Sequence, residues 1–223
     1  MRRLGAALIV LTSWPLLSPA QAAEVERGAG IYDICGACHG PQAQGTESLG
    51  APPLAGQQRW YLLRQLRNFQ LGARGGTADA EGEEMRQILA IVPAESDWRA
   101  VIDFVMGMSV PRPENQIAAQ TGRGRQIYAT CAACHGTAGE GNESLNAPNL
   151  SHLPGWYIAA QLHKFRKGIR GAAAADEPGR RMRTAAATLS SEKDIVAVSD
   201  YIGQVLRRTE EGDSRLSEAD PSS

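Results

Sequence analysis

The sequence predicts an all-α protein made of two tandem domains, because the chain repeats itself and its apolar residues follow a helical period. The segment CGACHG (35–40) returns 96 residues later as CAACHG (131–136). The match extends to WYLLRQLRNFQLGARG (60–75) and WYIAAQLHKFRKGIRG (156–171). Apolar side chains in these segments recur at i, i+4 and i+7, the spacing of an amphipathic helix. No segment alternates apolar and polar residues long enough to predict a strand.

The first 22 residues have the pattern of a secretory signal peptide. Two arginines follow Met1, an apolar run covers 4–17, and small residues precede an expected cleavage site near Ala22. An uncleaved membrane anchor is the alternative, but the apolar run is short for a bilayer span. We therefore expect a soluble mature protein that is exported to the periplasm.

The repeat and two prolines at its junction divide the rest of the chain. We expect an N-terminal domain at 23–110, a linker at 111–116, a C-terminal domain at 117–208 and a polar acidic tail at 209–223. Units this short often need a bound group or a cross-link to be stable.

Several helices can be placed within these units. The run 62–69 marks one helix of the first unit, and its repeat 158–165 marks the equivalent helix of the second. An apolar stripe at 98–105 marks a further helix of the first unit. Ser190 or Ser191 is expected to cap the last helix of the second.

The repeated Cys-x-x-Cys-His motif predicts a bound cofactor. Its residues are Cys35, Cys38 and His39 in the first unit and Cys131, Cys134 and His135 in the second. On a helical turn, positions i, i+3 and i+4 share one face. Two thiols can therefore bond the vinyl groups of a haem while the imidazole reaches its iron. This is the attachment motif of c-type haem, so we expect two covalently bound haem c groups.

Other uses of paired cysteines explain the pattern less well. Disulfides are common in exported proteins, but they leave the two histidines without a role. A thioredoxin-type redox site needs a βαβ surround that the sequence lacks. A zinc site needs four ligands, so the two units would have to share one ion although each carries its own histidine.

Methionine is expected as the second axial ligand of each iron. Met85 follows His39 by 46 residues and Met182 follows His135 by 47, each after a glycine-rich loop. The alternative role for both methionines is core packing. A His/Met pair fills both axial positions and raises the reduction potential. Such an iron suits electron transfer better than bond-making chemistry.

Four other residues compete for these positions less convincingly. Met106 and Met108 are not repeated in the second unit. His152 and His163 would give a bis-His iron, but the first unit has glycine and arginine at the equivalent positions. Since these two histidines are not duplicated and lie in polar surroundings, we expect them at the surface.

Each half resembles a class I cytochrome c, and the order of motifs across both halves resembles the dihaem cytochrome c4 family. The resemblance covers residues 25–206 and is most specific in 52–75 and 148–171. It implies two tandem class I cytochrome c domains related by a pseudo-two-fold duplication. It also implies that the backbone carbonyls of Pro52 and Pro148 hold the N–H groups of the proximal imidazoles.

The resemblance assigns roles to further repeated residues. The residues expected to meet the haem propionates are Tyr61, Tyr157, Arg74 and Arg170, with ordinary packing and surface charge as the alternative. Gly28 and Gly124 are expected where the first and last helices of each domain cross, opposite Phe104 and Tyr201.

The function implied by this resemblance is electron transport, not enzymatic catalysis. The protein is expected to carry electrons from a quinol-oxidising cytochrome bc complex to a haem-copper terminal oxidase in a respiratory chain. The alternative is a cytochrome subunit of a dehydrogenase, such as a flavoprotein that oxidises sulfide. A dihaem peroxidase is a third hypothesis, against which the paired methionines argue.

Peripheral membrane association is compatible with these partners. No basic tract with interleaved aromatics indicates nucleic-acid binding.

The charge is distributed unevenly along the chain, although the formal net charge is only -1. Residues 23–113 contain 8 basic and 11 acidic side chains, and residues 114–208 contain 12 basic and 8 acidic. This asymmetry predicts a dipole that could orient the protein on a partner, with a scattered solvated surface as the alternative.

Overall fold

The structure, a computed structural model, describes residues 18–109 and 121–206. Of the predicted signal peptide, residues 1–17 lie outside this part of the chain, as do the linker (111–116) and the acidic tail (209–223). The described residues are helical, and strand pairing among them is limited to two isolated bridges. The all-α prediction is therefore confirmed.

The two copies contain the same order of elements. The first copy has α1 (Pro19–His39), a 3-10 turn (Glu47–Leu49), α2 (Arg59–Gln70), α3 (Ala80–Ile91) and α4 (Glu95–Met106). The second copy has α5 (Thr121–His135), a 3-10 turn (Glu143–Leu145), α6 (Gly155–Arg166), α7 (Glu177–Ala186) and α8 (Glu192–Asp200). A π-helical turn (Tyr201–Leu206) continues α8. Within the described ranges, no helix has the length and hydropathy needed to cross a membrane.

Side-chain caps determine where several helices begin. The carboxylate of Asp79 accepts from the backbone N–H of Gly82 at the start of α3, and Asp176 does the same for α7. Ser191 caps α8, which confirms one of the two serines that the sequence offered. Each of these caps pairs a backbone N–H that has no partner within its own helix.

Two glycines let the first and last helices of each copy cross closely. A Cβ atom on Gly28 of α1 would lie 2.2 Å from the carbonyl oxygen of Ala100 in α4, next to Phe104. A Cβ atom on Gly124 of α5 would lie 2.2 Å from the carbonyl oxygen of Ala197 in α8. The predicted helix crossings are confirmed in both copies, and they set the position of the cysteine-bearing ends of α1 and α5.

The two copies face each other through α2 and α6. Arg74 donates to Gln161 of the second copy at 3.4 Å, and its repeat partner Arg170 donates to Gln65 of the first at 2.9 Å. Residues 65 and 161 are themselves repeat partners, so each contact is the reciprocal of the other. Reciprocal contacts of this kind are the mark of a two-fold interface, as the duplication predicted.

Candidate haem sites

The cysteine motifs occupy the last turns of α1 and α5. All four thiols are free; Cys35 and Cys131 are partly buried, whereas Cys38 and Cys134 are exposed. Burial raises the pKa of the Cys35 and Cys131 thiols. No group of three or more His, Cys, Asp and Glu side chains in the described ranges could hold a bare metal ion.

The two histidines of the motifs are buried and held in one orientation. The Nδ1 atom of His39 lies 2.8 Å from the carbonyl oxygen of Pro52, and that of His135 lies 2.8 Å from the carbonyl oxygen of Pro148. A carbonyl oxygen only accepts, so Nδ1 carries the proton and Nε2 keeps a lone pair. Burial lowers the pKa of both imidazoles. Each histidine is therefore a neutral ring that can bind iron through Nε2.

A glycine positions each proline carbonyl against its histidine. Gly45 has a φ of 82°, and its N–H donates to the carbonyl oxygen of His39 at 2.8 Å. Gly141 repeats both features with His135. Since φ near 80° is strained for residues with a side chain, glycine is required at both positions. The duplication of this residue was visible in the sequence, but its role was not.

The first copy contains an apolar cavity on which these groups converge. Cys35, Cys38 and His39 line one part of it, and Met85 lines another together with aliphatic side chains of α2 and α4. Met85 also packs on the cluster around Phe69 and Trp98. A cavity with two thiols at one edge, an imidazole and a thioether fits a flat apolar macrocycle with a central iron.

The second copy places its methionine in the same register. Met182 is the sixth residue of α7, and Met85 is the sixth residue of α3; each helix begins after a capping aspartate. The one-residue difference in sequence spacing is therefore absorbed in the loop before the helix. Among the alternatives, Met106 is 50% exposed, which removes it from the cavity walls.

The histidines outside the motifs have different surroundings. The Nε2 atom of His163 lies 2.9 Å from a carboxylate oxygen of Glu192, and the His163 side chain is partly exposed. His152 is only 5% exposed, so the prediction that it lies at the surface was wrong. Its neighbours Ser151 and Leu153 are also buried. This polar loop packs inside the protein, and a local sequence pattern does not report such burial.

A buried polar cluster lies where the two copies meet. Arg74 and Arg170 are 7% and 6% exposed, and each stacks on a phenylalanine of its own copy. Arg170 also donates to the hydroxyl of Tyr61 at 3.0 Å. Tyr157 lines the cavity of the first copy from the second. The four residues expected to meet propionates are thus brought together, and the sequence had not indicated that Gln65 and Gln161 would join them.

The electrostatics of this cluster favour an anion. Burial opposes ionisation of Tyr61, but the positive charges of Arg170, Arg74 and Arg64 outweigh it and lower the pKa of the phenol. The Nε atoms of Arg74 and Arg170 are buried and have no hydrogen-bond partner in the described part of the protein. Buried charges without full pairing are costly, and the carboxylates of haem propionates have the charge and geometry to pair with them.

These observations define a two-domain c-type cytochrome with two covalent haem c groups. The Cytochrome c family model matches residues 25–109 and 122–206, one match for each copy. The cytochrome c4 of Azotobacter vinelandii is 32% identical over 192 residues, which cover 81% of this chain and 89% of the relative. The chain belongs to the dihaem cytochrome c4 family.

A solved structure agrees with this assignment. Reduced recombinant cytochrome c4 from Pseudomonas stutzeri superposes with a TM-score of 0.65 at 30% identity, covering 80% of this chain and 97% of that one.

Two further relatives are named for their partners. The thiosulfate dehydrogenase electron acceptor of Stutzerimonas stutzeri is 29% identical over 90% of this chain and 93% of its own length. A subunit of the cbb3-type cytochrome c oxidase of Rubrivivax gelatinosus is 31% identical over 52% of this chain and 35% of its length.

Proposed function

We propose that this protein is a periplasmic electron carrier that takes electrons from a cytochrome bc complex to a haem-copper terminal oxidase. The observation that carries the proposal is the duplicated arrangement of a buried histidine, fixed by a proline carbonyl, and a methionine on a capped helix. In this proposal His39 with Met85 and His135 with Met182 are the axial ligands of the two irons. The cysteines of each motif form the thioether bonds.

The residues around each site favour electron transfer over bond-making. When bound, each haem supplies a one-electron change at its iron. His39 with Met85, and His135 with Met182, would hold the two irons, and a bound haem with this pair of ligands would leave no open position for oxygen or peroxide. The Pro52 and Pro148 carbonyls fix the orientation of the two imidazoles, which would limit movement of these rings when a bound iron changes its charge.

The buried polar cluster at the interface lies between the two haem sites and can contact both haems. We place the haem propionates against Arg74 and Arg170, with Tyr61 and Tyr157 as further contacts. Because Arg170 also reaches Gln65 and Arg74 reaches Gln161, propionates of both haems would meet the same cluster. This brings the two haems close to each other, so that an electron can pass between them within one molecule.

The proposed periplasmic location and the proposed electron acceptor are supported by different observations. The signal-peptide pattern of residues 1–22 supports a periplasmic location after cleavage near Ala22. The similarity to a subunit of a cbb3-type oxidase supports a terminal oxidase as acceptor.

Replacing each methionine by alanine tests the ligand assignment. Met85→Ala and Met182→Ala should each remove the share of the far-red absorption band that Met-ligated ferric haem contributes, and should open one ferrous iron to carbon monoxide. Met106→Ala is the matched control, because the exposed Met106 should leave the band at full strength. A full-strength band in Met85→Ala or Met182→Ala would refute the corresponding ligand. Carbon monoxide binding to the reduced native protein would favour a peroxidase instead.

A second candidate function is electron acceptor of a sulfur-compound dehydrogenase. It is favoured by the similarity to a thiosulfate dehydrogenase electron acceptor over nearly the full length of both chains. Stopped-flow kinetics can separate the two candidates. Fast oxidation by the terminal oxidase, with slow reduction by thiosulfate dehydrogenase or by a flavoprotein that oxidises sulfide, would support the first. Stable co-purification with a dehydrogenase would support the second.

A further inference from the structure

One ion pair between the two copies reaches the helix that carries Met85. The ammonium group of Lys164, in α6 of the second copy, donates to the carboxylate of Asp79 in the first. It also donates to Glu81 at 2.7 Å. The side chains of Lys164 and Asp79 are 16% and 1% exposed, so the contact is shielded from solvent. Lys164 also lines the cavity that holds His39 and Met85.

Asp79 determines how α3 begins. Its carboxylate accepts from the N–H of Gly82, and its backbone carbonyl accepts from Glu83 at 2.8 Å. Just before it, Gly75 lies so close to the carbonyl oxygen of Gly82 that a Cβ atom would be 2.3 Å away. Met85 follows in the second turn of this helix, about 9 Å from the cap along the axis. Any movement of the capped end is therefore transmitted to the methionine.

The charge of Asp79 depends on the second copy. Burial opposes its ionisation, but Lys164, Arg74 and the N–H of Gly82 outweigh burial and hold the pKa of the carboxyl below its usual range. Loss of one partner of a buried ion pair leaves the other charge without compensation. Without Lys164, Asp79 would keep the charge of Arg74 and the N–H of Gly82 but lose its ion pair. Uptake of a proton or a movement toward water would then loosen the start of α3.

This ion pair has no repeat among the residues that the structure describes. The residue equivalent to Lys164 in the first copy is Asn68, which carries no charge. On the reciprocal side, Arg64 of the first copy donates to the side chain and the backbone carbonyl of Asn146. Its charge also acts on Asp176, the repeat partner of Asp79, but the two form no ion pair in the described part of the protein. The second copy therefore holds the start of the Met85 helix through an ion pair, whereas the first copy contacts the second near the Met182 helix through hydrogen bonds to Asn146.

We propose that Lys164 is a positioning residue that holds Met85 on the iron of the first haem from the other domain. Docking of the two domains and ligation of Met85 are thus coupled, and the ligand of the first haem depends on the interface. The inference rests on the proposed assignment of Met85 as an axial ligand.

The test uses the full-length protein with both haems attached, in a Met182→Ala background. In this background the far-red band reports Met85 alone. Lys164→Gln should lose the band at a lower guanidinium concentration than the one that unfolds the helices, measured by circular dichroism. Under native conditions it should also raise carbon monoxide binding from one haem, which Met182→Ala already opens, to both haems. Lys164→Arg, which keeps the charge, should restore the band.

Lys167→Gln is the matched control, because it removes the same charge from an exposed position three residues away. In Lys167→Gln the far-red band and the helices should be lost at the same guanidinium concentration. Asp79→Asn is a second route to the same result, since asparagine caps a helix as well as aspartate does but cannot pair with Lys164. It keeps the test available if Lys164→Gln does not fold.

The outcomes separate positioning from a general effect on stability or potential. If the band and global unfolding shift together in Lys164→Gln, or if the potential falls while the band is unchanged, the positioning role is wrong. If the Met182→Ala background has no band at all, Met85 is not a ligand, and the proposed function and this inference both fail. If the Met182→Ala protein shows the full Met85 band, and Lys164→Gln loses that band at the same guanidinium concentration as Lys167→Gln, only the inference about Lys164 is overturned.

Discussion

At the scale of single residues, Asp79 is a buried carboxylate whose charge depends on contacts made only in the folded structure. Charged groups face it from both copies: Lys164, Arg74 and Glu81. The sum of these interactions keeps its pKa below the ordinary value of 3.8. A carboxylate with a lowered pKa contributes stability above its unfolded pKa, and this contribution is lost as the pH falls through the folded value.

Asp79→Asn should therefore flatten the acid side of the stability profile. The wild-type free energy of unfolding should fall as the pH drops below about 4, and part of that fall should be missing in the variant. Guanidinium unfolding of the haem-loaded protein at several pH values measures it. Asp33→Asn makes the same chemical change at an exposed site on α1 and should keep the wild-type profile. Identical slopes for Asp79→Asn and wild type would contradict the importance of the ion pair.

At the scale of elements, the crossing of α1 over α4 sets the geometry of the first haem site. The crossing depends on Gly28, whose missing side chain allows the backbone of Ala100 to approach. Gly30 lies in the same helix, two residues further on, and a Cβ atom there would meet nothing within 4 Å. The two glycines therefore differ in packing but not in secondary structure.

Alanine at these two glycines should have opposite effects. Gly28→Ala should destabilise the protein by about 1–3 kcal/mol, because the new methyl group overpacks the crossing. Gly30→Ala should stabilise it by about 0.5–1 kcal/mol, because alanine loses less conformational freedom in a helix than glycine. Chemical unfolding of both variants measures the difference. Equal effects would mean that the crossing is not tightly packed.

At the scale of the whole molecule, the two methionine helices present opposite charges to solvent. The residues before Met85 are Glu83 and Glu84, whereas those before Met182 are Arg180 and Arg181. Glu84, Arg180 and Arg181 are exposed. The charge asymmetry that the sequence shows along the chain is thus also present beside the two proposed sites. Since exposed charges act over about a Debye length, each half should attract reagents of opposite sign.

Arg180→Gln combined with Arg181→Gln should slow electron transfer to an anionic iron complex several-fold at low ionic strength. The difference from wild type should disappear in about 1 M salt, where screening is nearly complete. Arg125→Gln combined with Lys193→Gln removes the same charge from exposed sites on other helices of the second copy and serves as control. Stopped-flow oxidation of the reduced protein is the measurement. Equal slowing in both double variants would show that only net charge matters.

The sequence by itself determined the features that depend on neighbouring positions in the chain. The Cys-x-x-Cys-His spacing brings three groups to one face of one helical turn whatever surrounds it. The duplication predicted two copies of every element, and it placed Met85 and Met182 in matching settings. The helices marked by apolar stripes could be predicted for the same reason, whereas the glycines at the helix crossings were predicted from the family resemblance.

The tertiary structure alone decided the features that join distant parts of the chain. Lys164 and Asp79 are 85 residues apart, and neither the period of the helices nor the repeat indicated that they meet. The burial of His152, and the contacts of Gln65 and Gln161 with the buried polar cluster, could not be predicted for the same reason. Such contacts depend on how the two domains dock. Docking is set by the fit of whole surfaces, which local stereochemistry does not encode.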